Sequence, residues 1–242
     1  MRNAARRRVI SPWLLLIIAS LIAAAGVFGP WTPHPAAGLV ITGVDLGEYV
    51  KFLPEVASGQ IPIRRELFYL PLVAASVSAS LLASRRALPM WARAVLAMCA
   101  APLALAMLPP AWSPAVLRLP EFRVQVIAIL GCLALLPALV VTRFLPDRLV
   151  LGIIALLALA AAVAPAWSFL QVQPLIAALY RRPLPLGWGF WASLVGNLAL
   201  ATIALAPGPA PGRAMRSSAA AGMGAPGPAP GRAMRCTGTL TT

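Results

Sequence analysis

Six charge-free, strongly apolar stretches recur along the chain. They cover residues 13–31, 67–84, 94–112, 124–142, 149–167 and 187–205. Each holds 18 or 19 residues, close to the roughly 20 that a helix needs to cross ~30 Å of hydrocarbon. The pattern predicts an all-α fold, namely a polytopic transmembrane helix bundle of about six spans within residues 13–205.

The longest polar segment between these stretches is a predicted outer loop, residues 32–66. Within it, Thr42 and Asp45 have the spacing of a capping box, with Asp in place of the usual Glu. Apolar residues then recur at helical spacing, whereas Asp45 and Glu48 lie on a different face. Pro54 is expected to kink or end the helix. We predict a short amphipathic helix on the membrane surface or capping the bundle.

Three further segments lie outside the predicted spans. Residues 1–12 form a basic N-terminus. Residues 168–186 are too short to span the membrane and too apolar to lie in open water, which predicts an interfacial or re-entrant helix. Residues 206–242 are rich in Pro, Gly and Ala, and the 11-residue sequence at 206–216 is repeated at 225–235. Such a composition cannot build a core, so we expect a disordered tail.

The first apolar stretch has a second interpretation. A basic segment precedes it and small residues follow its apolar core, as in a cleaved signal peptide. Its apolar core continues to Trp31, which is longer than usual for such a peptide. We therefore favour a retained first span, and cleavage would leave five.

The overall composition supports a bilayer environment. Hydrophobic residues make up 60% of the chain and charged residues only 11%, too few charges to cover a soluble surface. The net charge of +14 would suggest nucleic-acid binding in a soluble protein. Here the basic residues lie at the ends of the apolar stretches, so we expect the lipid bilayer as a partner and no nucleic acid.

The distribution of basic residues predicts an orientation. With the N-terminus inside, 13 basic residues face the cytoplasm and 7 face outward. We therefore predict cytoplasmic N- and C-termini in a bacterial-type plasma (inner) membrane. All seven tryptophans fall at predicted span ends, where indole rings prefer to lie: Trp13, Trp31, Trp91, Trp112, Trp167, Trp188 and Trp191.

Recognisable catalytic and cofactor motifs are missing from the sequence. It contains no Walker A loop, GxGxxG, HExxH, GxSxG or CxxC, and we expect no metal or other cofactor. His34 is the only histidine and lies between prolines, where a solvated loop residue is the favoured interpretation. The three cysteines have no partner at metal-ligand spacing.

The acids of the outer loop are the most notable polar group. Asp45 and Glu48 lie three residues apart and could share a cation, and Glu66 lies at the mouth of the second span. Glu55 and His34 complete a possible outer-face polar cluster. The favoured alternative is that the acids form the solvated face of the amphipathic helix.

The predicted spans carry no charge. Gln125 and Asn197 are their strongest polar groups, and such groups more often hydrogen-bond between helices than bind substrate. Ion-coupled transporters usually place an ionisable side chain inside the membrane, so a proton- or sodium-coupled mechanism is disfavoured.

Three functional classes remain. We favour a non-catalytic membrane subunit of a larger complex, for example the permease-like part of a transport system energised by a separate ATPase chain. A structural or lipid-interacting membrane protein is the next alternative. An enzyme that works at the outer face through the loop acids is the third.

Overall fold

The computed structural model describes residues 11–34, 36–109 and 112–206, and most of these residues are helical. The helices are α1 (Pro12–Phe28), α2 (Gly43–Tyr49), α3 (Pro54–Ala57), α4 (Leu70–Ala83), α5 (Met90–Leu105), α6 (Arg123–Ala134), α7 (Leu139–Thr142), α8 (Asp147–Leu179) and α9 (Trp188–Leu205). Two short antiparallel strands, β1 (Pro30–Thr32) and β2 (Ile41–Thr42), pair in the first loop. The helical fold class is confirmed, with this strand pair as an addition.

Within the ranges described, three helices are long and apolar enough to cross a membrane. They are Arg65–Ala83, in which a 3-10 turn leads into α4, together with α8 and α9. The apolar helices α1 and α5 are shorter, at 17 and 16 residues. Large apolar side chains such as Met98 and Leu156 are exposed, and surrounding hydrocarbon would stabilise them in that position.

The amphipathic helix begins where the sequence predicts. The Thr42 hydroxyl accepts a hydrogen bond from the Asp45 amide, and the Asp45 carboxylate accepts one from the Thr42 amide, so the capping box is complete. The helix ends at Tyr49, and Pro54 begins the separate short helix α3. Pro54 suits that first helical position because its missing N–H would be unpaired there.

The fourth predicted span, residues 124–142, is not one continuous helix. It consists of α6, a turn over residues 135–138 and α7. Pro137 lies in the turn, where its ring and missing N–H prevent a regular helical hydrogen bond. The break therefore follows from the one proline in this stretch.

The predicted boundary after Trp167 differs from the structure. Helix α8 runs on through the predicted interfacial segment 168–186 as far as Leu179, despite two internal prolines. Its last turns bury Phe169, Val172 and Ile176 in the core under the outer loop. This packing explains why the helix continues, since a separate surface helix would leave that core uncovered.

Small residues let α1 and α9 approach closely. A Cβ added to Gly196 would lie 2.5 Å from the Ala23 backbone nitrogen, and one on Gly26 would lie 2.2 Å from that of Ser193. The two helices therefore touch through their backbones, as small residues allow in membrane helix pairs. Asn197 lies on α9 next to this contact and is fully buried.

Trp31 does not lie at an exposed span end. It is 2% exposed and packs edge-on against Phe68, Phe169 and Phe190, with ring centroids 6.4, 5.1 and 5.4 Å away. Its indole nitrogen donates a hydrogen bond to the Gly26 carbonyl at 3.0 Å. Helix α1 therefore ends at Phe28, three residues before the predicted boundary, and Trp31 packs into the core beyond it.

A buried arginine lies beyond the C-terminal end of α4. Arg85 is 4% exposed and donates to the carbonyls of Thr142 and Leu145 and to the Asp147 carboxylate, the last at 3.1 Å. These bonds fasten the segment between α7 and α8 to the end of α4. They also satisfy most of the donors of a cation that would otherwise be unfavourable to bury.

Two predictions fall on residues outside the described ranges. These are the basic N-terminus up to residue 10 and the Pro/Gly/Ala-rich tail from residue 207 onward. Both stay predictions from sequence.

The α1–α9 contact predicts opposite effects for two matched glycine substitutions. Gly196→Ala places a methyl group against the Ala23 backbone, and such overpacking costs roughly 1–3 kcal/mol. Gly152 in α8 has open space around its Cβ position, and Ala is favoured over Gly in a helix by up to about 1 kcal/mol. Thermal unfolding in detergent should show a lower midpoint for Gly196→Ala and an equal or higher one for Gly152→Ala. Equal destabilisation by both changes would contradict the close approach.

Candidate functional site

The carboxylate of Glu48 lies at the centre of a polar network at the end of the bundle that carries the outer loop. It accepts hydrogen bonds from Lys51 Nζ at 2.6 Å, from an Arg65 guanidinium nitrogen at 3.2 Å and from the Tyr69 hydroxyl at 3.1 Å. Its side chain is only 20% exposed. The interpretation of Glu48 as part of a solvated helix face therefore does not fit this geometry.

Arg65 joins three parts of the chain. It pairs with Glu48 of α2, lies 3.7 Å from the carboxylate of Glu66, and donates to the Glu121 carbonyl at 2.6 Å. Its guanidinium also lies 4.5 Å from the ring centre of Phe122, within cation–π range. Because its side chain is 10% exposed, these contacts take the place of water.

Gln125 extends the network into the helices. It is 2% exposed; its amide nitrogen donates to the Met107 carbonyl, and its amide oxygen lies 3.5 Å from an Arg65 nitrogen. It therefore links α6 to the chain just after α5. This is the interhelical role that the sequence predicts for an isolated amide.

Asn197 belongs to a different place in the structure. Its amide nitrogen donates to the Ser193 carbonyl at 2.9 Å within α9. Its side-chain oxygen has no partner among the described residues. Asn197 thus shares no hydrogen bond with the network around Arg65.

The five predicted outer-face residues come together only in part. Glu48 and Glu66 meet at Arg65, and Asp45 is engaged in its capping box. The Glu55 side chain makes no ion pair among the residues described. His34 accepts a hydrogen bond from the Ala36 amide at 3.1 Å and lies beside the ring of Tyr180. Within the described ranges, no three His, Cys, Asp or Glu side chains are placed to hold a metal ion.

Two clefts flank the network, and Tyr69 forms part of the wall of both. The smaller measures about 250 Å³, and its lining includes Asp45, Glu48 and Tyr49. The larger measures about 480 Å³; Arg64, Glu66 and Gln125 provide the polar part of its lining. Its apolar wall is formed by Leu67, Leu70, Val73, Met107, Val124 and Ala128. Both clefts are mostly apolar with a few polar groups, as binding pockets commonly are.

The polar groups of the smaller cleft are poorly suited to proton transfer. Two cations and a phenol occupy the Glu48 carboxylate. The pKa of Tyr49 is raised to about 12, mainly because the side chain is partly buried and secondly because it shares a hydrogen bond with Tyr180. The Tyr49 hydroxyl is therefore protonated at neutral pH and cannot serve as a base.

Sequence reasoning identified Glu48 and Gln125 but missed the residues that connect them. From the sequence, Arg64, Arg65 and Glu66 at the start of the second predicted span are expected to anchor that span, with local pairing or a contact to lipid phosphate as the alternatives. Tyr69 and Phe122 were not singled out. Arg65 and Tyr69 are four residues apart and therefore share a helix face, which was a usable signal. Phe122 carried no comparable sequence signal, because only the folded chain brings it over Arg65.

The network predicts strong coupling between Glu48 and Arg65. Arg65→Met leaves a mostly buried carboxylate with fewer partners and should lower the free energy of unfolding by on the order of 2–3 kcal/mol. In the double variant with Glu48→Gln, neither member of the Glu48–Arg65 pair is left as a buried charge facing a neutral partner, so the loss should be smaller than the sum of the single losses. Equilibrium unfolding in mixed micelles measures all three. Arg64→Met, at the exposed neighbouring position, is the control and should change stability little. Strictly additive losses would contradict the coupling.

Comparison of the chain with protein-family models, with curated proteins and with solved structures finds no match. Its role is therefore inferred from its own residues and contacts.

Proposed function

We propose that the chain is a multi-pass protein of a bacterial-type plasma membrane, with six apolar segments crossing the bilayer and both termini in the cytoplasm. The 13-to-7 distribution of basic residues supports this orientation.

Thiol labelling tests the orientation. In a variant whose native cysteines are replaced by alanine, Ser58→Cys places a thiol on the exposed part of the predicted outer loop, and Ser217→Cys places one in the predicted tail. A membrane-impermeant maleimide added to intact cells should label the first thiol and not the second. Both should be labelled after lysis, which is the internal control. External labelling at position 217 would overturn the orientation.

We further propose that the protein is a non-catalytic subunit of a larger membrane complex. The observation that carries this proposal is the broken segment of α6 and α7. Irregular backbone at membrane depth is tolerated where protein or a water-filled cavity covers it, and interrupted helices are common in transport proteins. Pro137, at the break, is exposed in the single chain. A partner's helices would cover it.

The flank beside the break is thinly packed. Helix α6 buries only Gln125, Ile129 and Cys132, and α7 buries only Thr142. Val140 and Val141 are more than half exposed. An apolar flank of this kind is able to pack against further membrane helices. If the partner is an ATPase, the complex would be a transport system in which this chain forms part of the permeation path.

The engagement of the acids weighs against an outer-face enzyme. Glu48 and Asp45 already accept hydrogen bonds from neighbouring groups within the chain. A carboxylate held this way acts as a cross-link, and acid–base catalysis would require breaking those bonds.

Native mass spectrometry of the protein purified in mild detergent tests the subunit proposal. We expect a second protein chain in a fixed ratio. Val140→Trp and Val141→Trp together should reduce its recovery several-fold by altering the shape of the flank. Leu156→Trp, at an equally exposed position on α8, is the matched control and should leave recovery unchanged. A protein that purifies alone with only lipid would overturn the proposal.

A further inference from the structure

The larger cleft is an amphipathic groove beside the first turns of α4. Its floor and walls are apolar side chains from the start of the Arg65–Ala83 helix, from the chain after α5 and from α6. Four of them, Leu67, Leu70, Val73 and Ala128, are half-buried rather than fully covered. Its volume of about 480 Å³ falls within the ~300–1,000 Å³ typical of small-molecule sites. A flexible hydrocarbon chain would fill such a groove.

The charged end of the groove carries one cation and one carboxylate. Arg64 is exposed and, in the described part of the chain, has no carboxylate within ion-pair distance. Among the described residues, the one ion pair of Glu66 is with Arg65, at 3.7 Å, and its side chain is 28% exposed. Unlike Glu48, it keeps acceptor capacity for a ligand. Both groups line the same groove.

These two charges also lie at the expected depth of lipid headgroups. Arg64 and Glu66 immediately precede the apolar run that begins at Leu67, and charged residues at the ends of membrane helices lie at headgroup level. A ligand lying along the groove would therefore have its polar end beside these charges and its apolar end beside α4 and α6.

We propose that the groove binds a phospholipid with a zwitterionic amino headgroup. The Arg64 guanidinium holds the phosphate, the Glu66 carboxylate holds the ammonium group, and one acyl chain lies against Leu70, Val73 and Ala128. The charge pattern selects this class, because a purely anionic headgroup would bring no cation to Glu66. This site does not depend on the existence of a partner subunit.

Native mass spectrometry of the full chain with added lipids tests the site. Phosphatidylethanolamine and phosphatidylglycerol with identical acyl chains are compared, and one phosphatidylethanolamine should be retained in preference. Arg64→Gln should weaken its retention about tenfold, the loss expected for one charge-assisted hydrogen bond. Glu66→Gln should reduce the preference for phosphatidylethanolamine while leaving retention of phosphatidylglycerol unchanged or increased.

Two matched controls distinguish this site from general lipid adhesion. Arg86→Gln removes an exposed arginine outside the groove, and retention should not change. Ala128→Phe fills the groove and should abolish selective retention, whereas Ala160→Phe on an exposed position of α8 should not. Equal retention of both lipids by every variant would overturn the proposal. Cross-linking from a reactive group placed at position 128 would also overturn the proposal if it captured a protein segment and no lipid.

Discussion

The guanidinium of Arg65 holds together parts of the chain that are far apart in sequence. It contacts Glu48 in the first loop, the Glu121 carbonyl before α6 and Gln125 within α6. A cation buried to this degree must have its hydrogen-bonding groups satisfied, and water has little access to it. The outer loop and α6 must therefore lie where their hydrogen-bond acceptors reach the Arg65 guanidinium. The two clefts flank this polar network.

The opposite end of α4 is organised in the same way. Arg85 donates to the carbonyls of Thr142 and Leu145, to the Asp147 carboxylate and to the hydroxyl of its neighbour Ser84. The segment from the end of α7 to the start of α8 is therefore fixed to the bundle by a second buried cation. Between the two ends most contacts are apolar, although the Ser76 hydroxyl of α4 donates a hydrogen bond to the Ala100 carbonyl of α5 at 2.8 Å. At α1 and α9 the helices are close enough to exclude any side chain at Gly196. The charged contacts thus lie at the ends, whereas the middle is held mainly by close packing. This division suits a low-dielectric surrounding, where an unsatisfied polar group is least tolerable.

The two clefts differ in what they can do, although they share Tyr69. In the smaller cleft Asp45 and Glu48 already accept hydrogen bonds from neighbouring groups of the chain, so their role there is structural. In the larger cleft Arg64 and Glu66 keep unused hydrogen-bonding capacity next to an apolar wall. The unused polar groups therefore lie in the cleft between α4 and α6. Helix α6 contributes both to this cleft and to the thinly packed flank that it forms with α7, so the proposed lipid and protein contacts would be made by neighbouring surfaces.

The sequence by itself determined the helical class, most of the apolar segments and the start of α2 at Thr42. These features depend on local composition and on contacts three or four residues apart, which are readable in one dimension. The tertiary structure decided that α8 continues through Phe169 to Leu179, that Trp31 is buried, and that Glu48 turns inward to Arg65. Each of these depends on a partner at least 17 residues away in the sequence, brought close only when the chain folds. The apolar stretches can be located in the sequence, but which polar side chains are buried among them depends on how the helices pack.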